Sequence, residues 1–214
     1  MSLAELKRPL ALALACIAML AGCATSPPAT PDARYDLGAR PAASPASPAS
    51  PASPATEVPL PPVKVLAVRA SRDLETDAFV YRLSYVDAQR TGSYATSHWT
   101  MPPAQLLTQR LRDTLSQRGP VLTGADTVRA PLLEIELTGF EQVFDAPERS
   151  HGVVSVRATL TQHGRVIAQR MFTASAPAPS ADASGGARAL AAASDDLIAQ
   201  LGAWLGAQPL TASR

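Results

Sequence analysis

The sequence predicts an α+β protein: a single domain with a mainly antiparallel sheet and two amphipathic helices packed on one face, preceded by a disordered Pro/Ala/Ser-rich tether. Three observations lead to this class. Several segments alternate apolar and polar residues, which is typical of strands with one wet face. Two segments carry apolar residues at helical spacing. Proline at every third position marks the segment that precedes these elements.

The N-terminus has the pattern of an export signal. Lys7 and Arg8 precede an apolar run over residues 9–20, which is too short to span a bilayer. The run ends in Leu20-Ala21-Gly22-Cys23, which resembles the lipobox of bacterial lipoproteins. That resemblance implies attachment of diacylglycerol to the Cys23 thiol, then cleavage between Gly22 and Cys23, then acylation of the new amine. The alternative is an ordinary secreted protein with a chance cysteine at the cut.

The tether is assigned to residues 23–62, after a signal peptide of residues 1–22. Its repeated Ser-Pro-Ala tract, residues 44–56, favours polyproline II and cannot build a core. Fully extended, the tether could reach on the order of 120 Å. The apolar cluster Tyr35-Asp36-Leu37-Gly38 interrupts it and is a candidate for an extended piece docked on the domain.

The first half of the domain, residues 63–207, contains two predicted strands and a helix. Residues 63–68 are rich in valine, and residues 79–85 alternate large apolar with other side chains, so both predict strands. The helix begins with Thr100 as N-cap and prolines in its first turn, and it ends at Gly119-Pro120. Its leucines recur at four-residue spacing, which predicts one apolar face.

The second half of the domain also contains predicted strands followed by a helix. Residues 208–214 are assigned to a C-terminal tail. Residues 133–137 and 154–160 alternate as strands, and Gln162-His163-Gly164 predicts a hairpin turn into a strand over residues 165–173. A loop over residues 176–186 leads to the last helix. A narrow apolar stripe on this helix is expected to pack on the sheet; its members are Leu190, Leu197, Ile198, Leu201, Trp204 and Leu205. Its polar face lacks the Lys and Arg of a membrane-surface helix.

Composition and motifs give no support to catalysis, metal binding or a cofactor. Cys16 lies in the signal and Cys23 at the cut, so a lipidated mature chain keeps no free thiol. The three histidines are far apart, and no phosphate-binding loop or nucleophile elbow is present. Removing the signal leaves 17 basic and 17 acidic residues, a neutral balance without a footprint for nucleic acid. We therefore expect a protein that is not an enzyme and has no cofactor.

Five blocks of residues occur in the order found in a known family. They are Tyr35-Asp36-Leu37-Gly38, Tyr81-Arg82-Leu83-Ser84-Tyr85, Trp99-Thr100-Met101-Pro102-Pro103-Ala104-Gln105-Leu106-Leu107, Phe140-Glu141-Gln142-Val143-Phe144-Asp145 and Gly185-Gly186-Ala187-Arg188-Ala189-Leu190. Together they resemble the ABC-type transport auxiliary lipoprotein family. The chain departs from that pattern in its long Pro-Ala-Ser tract and at residues 70–73, where the family often has a proline and an aromatic residue.

The resemblance implies an accessory, non-catalytic part of a transporter that moves lipid-like molecules across the envelope. Its implied partners are a substrate-binding protein of the mammalian-cell-entry type and the permease and ATPase of the same system. Ala24 follows the anchoring cysteine, where aspartate in enteric lipoproteins signals retention at the inner membrane. The resemblance therefore favours the outer membrane, with the domain facing the periplasm.

Candidate contacts with a partner or lipid lie in two of these blocks. Tyr81 and Tyr85 share one face of the predicted strand, and Trp99 precedes the first helix, where Pro102 and Pro103 follow. Aromatic residues anchor interfaces, but they also anchor cores, and core packing is the favoured alternative for them.

Arg82 lies on the opposite face of the predicted strand and is a candidate for a partner carboxylate or a lipid phosphate, with plain solvation as the alternative.

Two other functions stay open at the level of sequence. A periplasmic lipid carrier would enclose an apolar cavity, and residues such as Leu133 or Val156 would then line a void. A structural envelope lipoprotein would use the Pro-rich tether to extend towards peptidoglycan.

Overall fold

The computed structural model describes residues 32–39 and 59–211, and the sheet in this part of the chain is built around one long strand. The strands are β1 (Ala33–Tyr35), β2 (Val63–Val65), β3 (Arg69–Ala70), β4 (Ala78–Leu83), β5 (Thr91–Trp99), β6 (Val121–Leu122), β7 (Leu132–Ala146), β8 (Arg149–Gln162) and β9 (Arg165–Pro177). The helices are α1 (Pro103–Ser116) and α2 (Ala183–Gly206), with a short 3-10 helix at Arg72–Leu74.

The two edges of β7 have different partners. Along one edge β8 runs antiparallel to β7 for nearly its whole length, and β9 runs antiparallel to β8. Along the other edge β2, β3 and β4 pair with β7 one after another, and all three are parallel to it. Beyond them, β6 is parallel to β2, β5 is antiparallel to β4, and β1 is parallel to β5.

The sheet is therefore mixed, and the prediction of a mainly antiparallel sheet is wrong. Alternation along a strand shows that one face is covered, and it favours an antiparallel neighbour without determining the direction of that neighbour. The α+β class itself is confirmed, since nine strands and two α-helices make up the described part of the chain. β7, which follows α1 and β6 in the chain, runs in the same direction as β4.

The helices are capped in two different ways. The N-cap of α1 is Pro102 and not Thr100, with Pro103 at the first helical position, where the missing N–H has no helical partner to lose. The N-cap of α2 is Asp182, whose carboxylate accepts a 2.7 Å hydrogen bond from the Gly185 N–H. Hydrogen bonding to Gly185 is the main reason why the pKa of Asp182 is lowered, because it favours the charged form.

Both helices contribute to one hydrophobic cluster with the inward-facing residues of β7 and β8. The predicted stripe of α2 is confirmed: five of its six members are buried, and Trp204 is half-buried against Phe172. Gly152 of β8 lies directly under α2, where an added Cβ would meet the Leu190 nitrogen at 2.6 Å. The helix thus packs close to the sheet backbone at this point.

Several element boundaries differ from those predicted. The strand expected over residues 63–68 is only three residues long, and the strand expected over residues 79–85 ends at Leu83. β9 continues to Pro177, into the region expected to be a loop. The hairpin turn is confirmed at His163 and Gly164, with φ values of 51° and 73°, the left-handed pair that a two-residue turn requires.

Candidate interaction site

The candidate site residues surround an aromatic cluster at the level where β4, β5 and β7 meet. Phe79 stacks on Trp99 with ring centres 4.5 Å apart, and Phe140 meets Trp99 edge-to-face at 5.3 Å. Trp99 is 0% exposed, and Pro103 is also buried. The indole of Trp99 therefore stabilises the core and has no surface to offer a partner.

Tyr81 and Tyr85 do not share a strand face. Tyr81 is half-buried in β4, with its ring 5.0 Å from Tyr94 and 6.1 Å from Phe144. Tyr85 lies beyond the end of β4, in the turn that leads to β5, and is 45% exposed. Val86 beside it is 57% exposed. Of the candidate aromatic residues, Tyr85 is the one with a large accessible surface.

Arg82 already has a partner within the chain. Its Nη2 lies 2.9 Å from Glu141 Oε2 and its Nε 3.1 Å from Glu141 Oε1, which is a bidentate pair across β4 and β7. A third donor, Nη1, reaches the Ala88 carbonyl at 2.7 Å. This charge stabilises the β4–β5 turn, and it would have to leave Glu141 to bind a lipid phosphate.

We expect Glu141→Gln to lower the free energy of unfolding by about 1 to 2 kcal/mol, because it leaves the half-buried Arg82 without its countercharge. The matched control is Glu136→Gln. Its partner Arg157 is equally close at 2.7 Å, but both side chains are about half exposed, so the loss should stay below about 0.5 kcal/mol. Urea unfolding of both variants checks this, and equal losses would contradict the assignment.

A buried glutamine joins the sheet to the start of α2. Gln142 is 0% exposed; its Oε1 accepts from the Tyr94 hydroxyl at 3.0 Å, and its Nε2 donates to Ser150 Oγ at 2.8 Å and to the Asp182 carbonyl at 3.2 Å. Gly186 allows this contact, since an added Cβ would lie 2.1 Å from Gln142 Oε1. Gly186 is therefore required by the packing of α2 against β7, whereas a Cβ at Gly185 would meet the Ser180 carbonyl oxygen.

Two causes raise the pKa of Tyr94 to about 12: burial contributes most, and the negative charge of the nearby Asp182 carboxylate comes second. A folded-state pKa above the unfolded value of 10 stabilises the fold below pH 10, and this contribution is lost as pH rises from 10 through 12. We expect Tyr94→Phe to show a smaller loss of stability over that range than the unsubstituted protein. Denaturant unfolding at several alkaline pH values measures it, and identical pH profiles would rule the assignment out.

The N-terminal segment, residues 32–39, is part of the domain. β1 pairs with the last residues of β5, Tyr35 packs edge-to-face on Phe79 at 5.9 Å, and Leu37 is 6% exposed in the core. Arg110 fixes the end of the segment by donating to the Gly38 carbonyl at 2.8 Å while it pairs with Asp195 at 2.7 Å. The cluster Tyr35-Asp36-Leu37-Gly38 is thus docked, as its apolar residues suggested.

The face of the sheet that the helices leave uncovered carries paired charges. A shallow cleft of about 400 Å³ lies there, and its charged side chains form the pairs Arg69–Glu134 and Arg157–Glu136. Within residues 32–39 and 59–211, no group of three or more His, Cys, Asp or Glu side chains is placed to hold a metal ion. In the same residues, neither helix combines the length and the apolar character that crossing a bilayer would take.

Three residues of this region have roles that the sequence did not reveal. Gln142, Tyr94 and Glu141 depend on partners far away in the chain. A signal existed for Gln142, because it occupies an inward position between Phe140 and Phe144, where alternation demands an apolar side chain. Cys23, the predicted lipid attachment site, lies outside the described residues.

Fold and site together define a packed α+β domain that holds its own N-terminal segment as a strand of the sheet. The chain belongs to the ABC-type transport auxiliary lipoprotein component family, whose model matches residues 43–202. Membership makes it an envelope-associated lipoprotein that accompanies an ABC-type transport system.

Solved structures share this fold at low sequence identity. A Xanthomonas campestris protein of the DUF330 family model superposes with a TM-score of 0.59 at 18% identity, over 84% of this chain and 88% of that one. A crystal structure of an uncharacterized protein gives a TM-score of 0.64 at 17% identity, over 82% of this chain and 99% of that one. No curated protein sequence matches the chain.

Proposed function

We propose that this protein is a non-catalytic docking component of a mammalian-cell-entry-type lipid transport system, anchored in the outer membrane through lipid on Cys23 and facing the periplasm. The family supports association with an ABC-type transporter. The lipobox-like Leu20-Ala21-Gly22-Cys23 supports the anchor, and Ala24 supports the outer membrane. Its partners are the substrate-binding protein of that system and, through it, the permease and ATPase.

The observation that carries docking over lipid carriage is the packing between sheet and helices. A carrier needs a void lined by inward residues such as Leu133 and Val156. Both are 0% exposed and belong to the hydrophobic cluster between the sheet and the helices. A cavity wide enough for an acyl chain would leave accessible surface on its lining. The described clefts instead lie at the surface and include charged side chains.

The charges of the described surface also support a role without chemistry of its own. Arg82, Arg110 and Arg157 each pair with a carboxylate at 2.7 to 2.9 Å. Groups held in such pairs stabilise the fold and are not poised as free acids, bases or nucleophiles.

The proposal is tested by crosslinking the tagged, lipidated protein in living cells and identifying the recovered proteins and lipids together by mass spectrometry. The expected result is a substrate-binding protein of the mammalian-cell-entry type, without a stoichiometric lipid. Cys23→Ser is the control, because a hydroxyl oxygen replaces the sulfur to which lipid would be attached. The Cys23→Ser variant should recover less of the substrate-binding protein than the lipidated protein does.

Two other results would overturn the docking role. Lipid recovered in molar proportion without a protein partner would support the carrier. Recovery of cell-wall proteins alone would support a structural envelope lipoprotein.

A further inference from the structure

The turn between β4 and β5 presents apolar side chains to solvent on a backbone that makes hydrogen bonds within the turn. We propose that this hairpin tip, residues 85–90, enters the interface of the membrane that holds the protein's own lipid anchor. The inference rests on the proposed lipidation of Cys23. It places the tip in contact with the lipid surface, and it therefore determines which end of the domain faces the membrane.

The tip offers an adjacent aromatic and aliphatic pair. Tyr85 is 45% exposed and Val86 57% exposed. A tyrosine combines an apolar ring with a hydroxyl, a combination enriched where bilayer and water meet. Asp87 and Arg90 flank the pair and are exposed, so they would remain among the headgroups.

Several backbone groups of the tip are hydrogen-bonded within the protein, which lowers the free-energy cost of bringing the tip close to an apolar layer. The Val86 and Asp87 N–H groups donate to the Leu83 carbonyl at 2.9 and 3.0 Å, and the Arg90 N–H donates to the Asp87 carbonyl at 3.0 Å. The Ala88 carbonyl accepts from Arg82 at 2.7 Å. These backbone groups would therefore enter the interface already paired.

The direction of β1 shows which end of the domain its N-terminal end points to. β1 is parallel to β5, with Ala33 beside Ser97 and Tyr35 beside Trp99. Followed backwards from Ala33, the chain therefore leaves the domain along β5 in the direction of Thr91 and the tip. The distance from the N-terminal end of β1 to the tip is roughly the length of β4, about 17 Å.

The length of chain that remains is short. Residues 24–31 separate Cys23 from Asp32, and eight residues span at most about 29 Å. Because residues 32–39 are docked on the domain, only residues 24–31 set the distance between Cys23 and the domain. The longer reach expected of the whole tether does not apply. The membrane surface then lies within about 29 Å of Asp32. If it is reached in the direction in which the N-terminal end of β1 points, it lies at the level of the tip.

Among the other exposed large apolar residues, Met171 lies beside Arg157 in the middle of the sheet, and Val166 and Ile167 lie at the end opposite the tip. Val166 and Ile167, 63% and 42% exposed, follow the β8–β9 turn. That turn adjoins the start of β7, where Leu132 pairs with Thr161, whereas Tyr81 pairs with Gln142 near the end of β7. Leu132 and Gln142 are ten residues apart on β7, or about 33 Å. The β8–β9 turn therefore lies far from the tip, in the direction opposite to the one in which the N-terminal end of β1 points.

The test uses single cysteines carrying an environment-sensitive fluorophore. Lipidation occupies the Cys23 thiol and signal cleavage removes Cys16, so an introduced cysteine is the one free thiol. Val86→Cys reports on the tip, and Val166→Cys is the control of similar exposure and the same residue type. The lipidated proteins are reconstituted into vesicles of phosphatidylethanolamine and phosphatidylglycerol, and quenching by aqueous iodide and by spin-labelled lipid is measured.

The expected result is a label at position 86 that is severalfold less quenched by iodide than the label at position 166, and more quenched by spin-labelled lipid. Equal iodide quenching at the two positions, in protein that floats with the vesicles, would overturn the tip assignment while leaving the anchor intact. Protein that neither floats nor carries the mass of an acyl group would instead overturn the anchor, and with it this inference.

A pair of insertions tests the reach directly. A second copy of residues 44–56 placed between Pro31 and Asp32 adds about 40 Å of chain between anchor and domain, and should remove the protection at position 86. The same insertion between Thr56 and Glu57 lengthens only the connection from β1 to β2, and should leave the protection unchanged. Protection that survives the first insertion would contradict the argument from chain length.

Discussion

Trp99→Ala should lower the free energy of unfolding by about 4 kcal/mol, the largest effect we expect from a single side-chain truncation in this domain. The indole is fully buried, stacks on Phe79 at 4.5 Å and meets Phe140 at 5.3 Å, so its removal leaves a cavity among three elements. Because small domains have only about 5 to 15 kcal/mol of stability, such a loss is a large fraction of the total. Urea unfolding followed by circular dichroism measures it.

Trp204→Ala is the control for this variant. Trp204 is half-buried on α2, with one edge-to-face contact to Phe172 at 5.6 Å, so its loss should be roughly half as large. If Trp99→Ala unfolded at the same urea concentration as the unsubstituted protein, the role of Trp99 in the core would be refuted, and a surface role for this residue would have to be reconsidered.

Gly152→Ala should cost about 3 kcal/mol, although it adds one methyl group. The new Cβ would lie 2.6 Å from the Leu190 nitrogen and 2.7 Å from the Ala189 carbonyl carbon. Both atoms belong to the backbone of α2, so no side-chain rotation can relieve the clash, and the helix has to move away from the sheet. Thermal and urea unfolding check the expected loss.

Gly139→Ala is the matched control on the neighbouring strand. Its added Cβ would meet Ser155 Cβ at 3.5 Å, an ordinary contact on the uncovered face. Since alanine also restricts the unfolded chain, this substitution should be neutral or stabilising by a few tenths of a kcal/mol. A Gly152→Ala variant as stable as Gly139→Ala would show that α2 does not pack on β8 as described.

The sequence predicted the elements that bury one face over many residues. β7 and β8 alternate along 15 and 14 residues, and the stripe of α2 recurs over four turns, so in each case many residues agree. β5 was not predicted, because only Ser97 and Trp99 of its nine residues are buried and its register shifts opposite Ala78 and Val80. A strand with so few buried positions has little periodicity to detect.

The candidate site could be predicted only where a residue acts alone. Tyr85 was expected at the surface or in the core, and its exposure follows from where β4 ends. The partner of Arg82 lies 59 residues further along the chain, on a strand whose pairing with β4 is parallel and was not foreseen. Pairing across a sheet depends on register and direction, and local pattern determines neither.

The docking of β1 on β5 also determines how the protein responds to tension. A pull on the N-terminus acts along the strand, in shear, on three paired residues at the margin of the sheet, while β7 and β8 lie deeper and are bonded over their full lengths. β1 is therefore the element that yields first. Its release would free the chain up to β2, roughly 100 Å of extra length, while the remaining elements stay folded. With the Cys23 anchor proposed above, the domain would follow a moving partner by releasing β1 while its other elements stay folded.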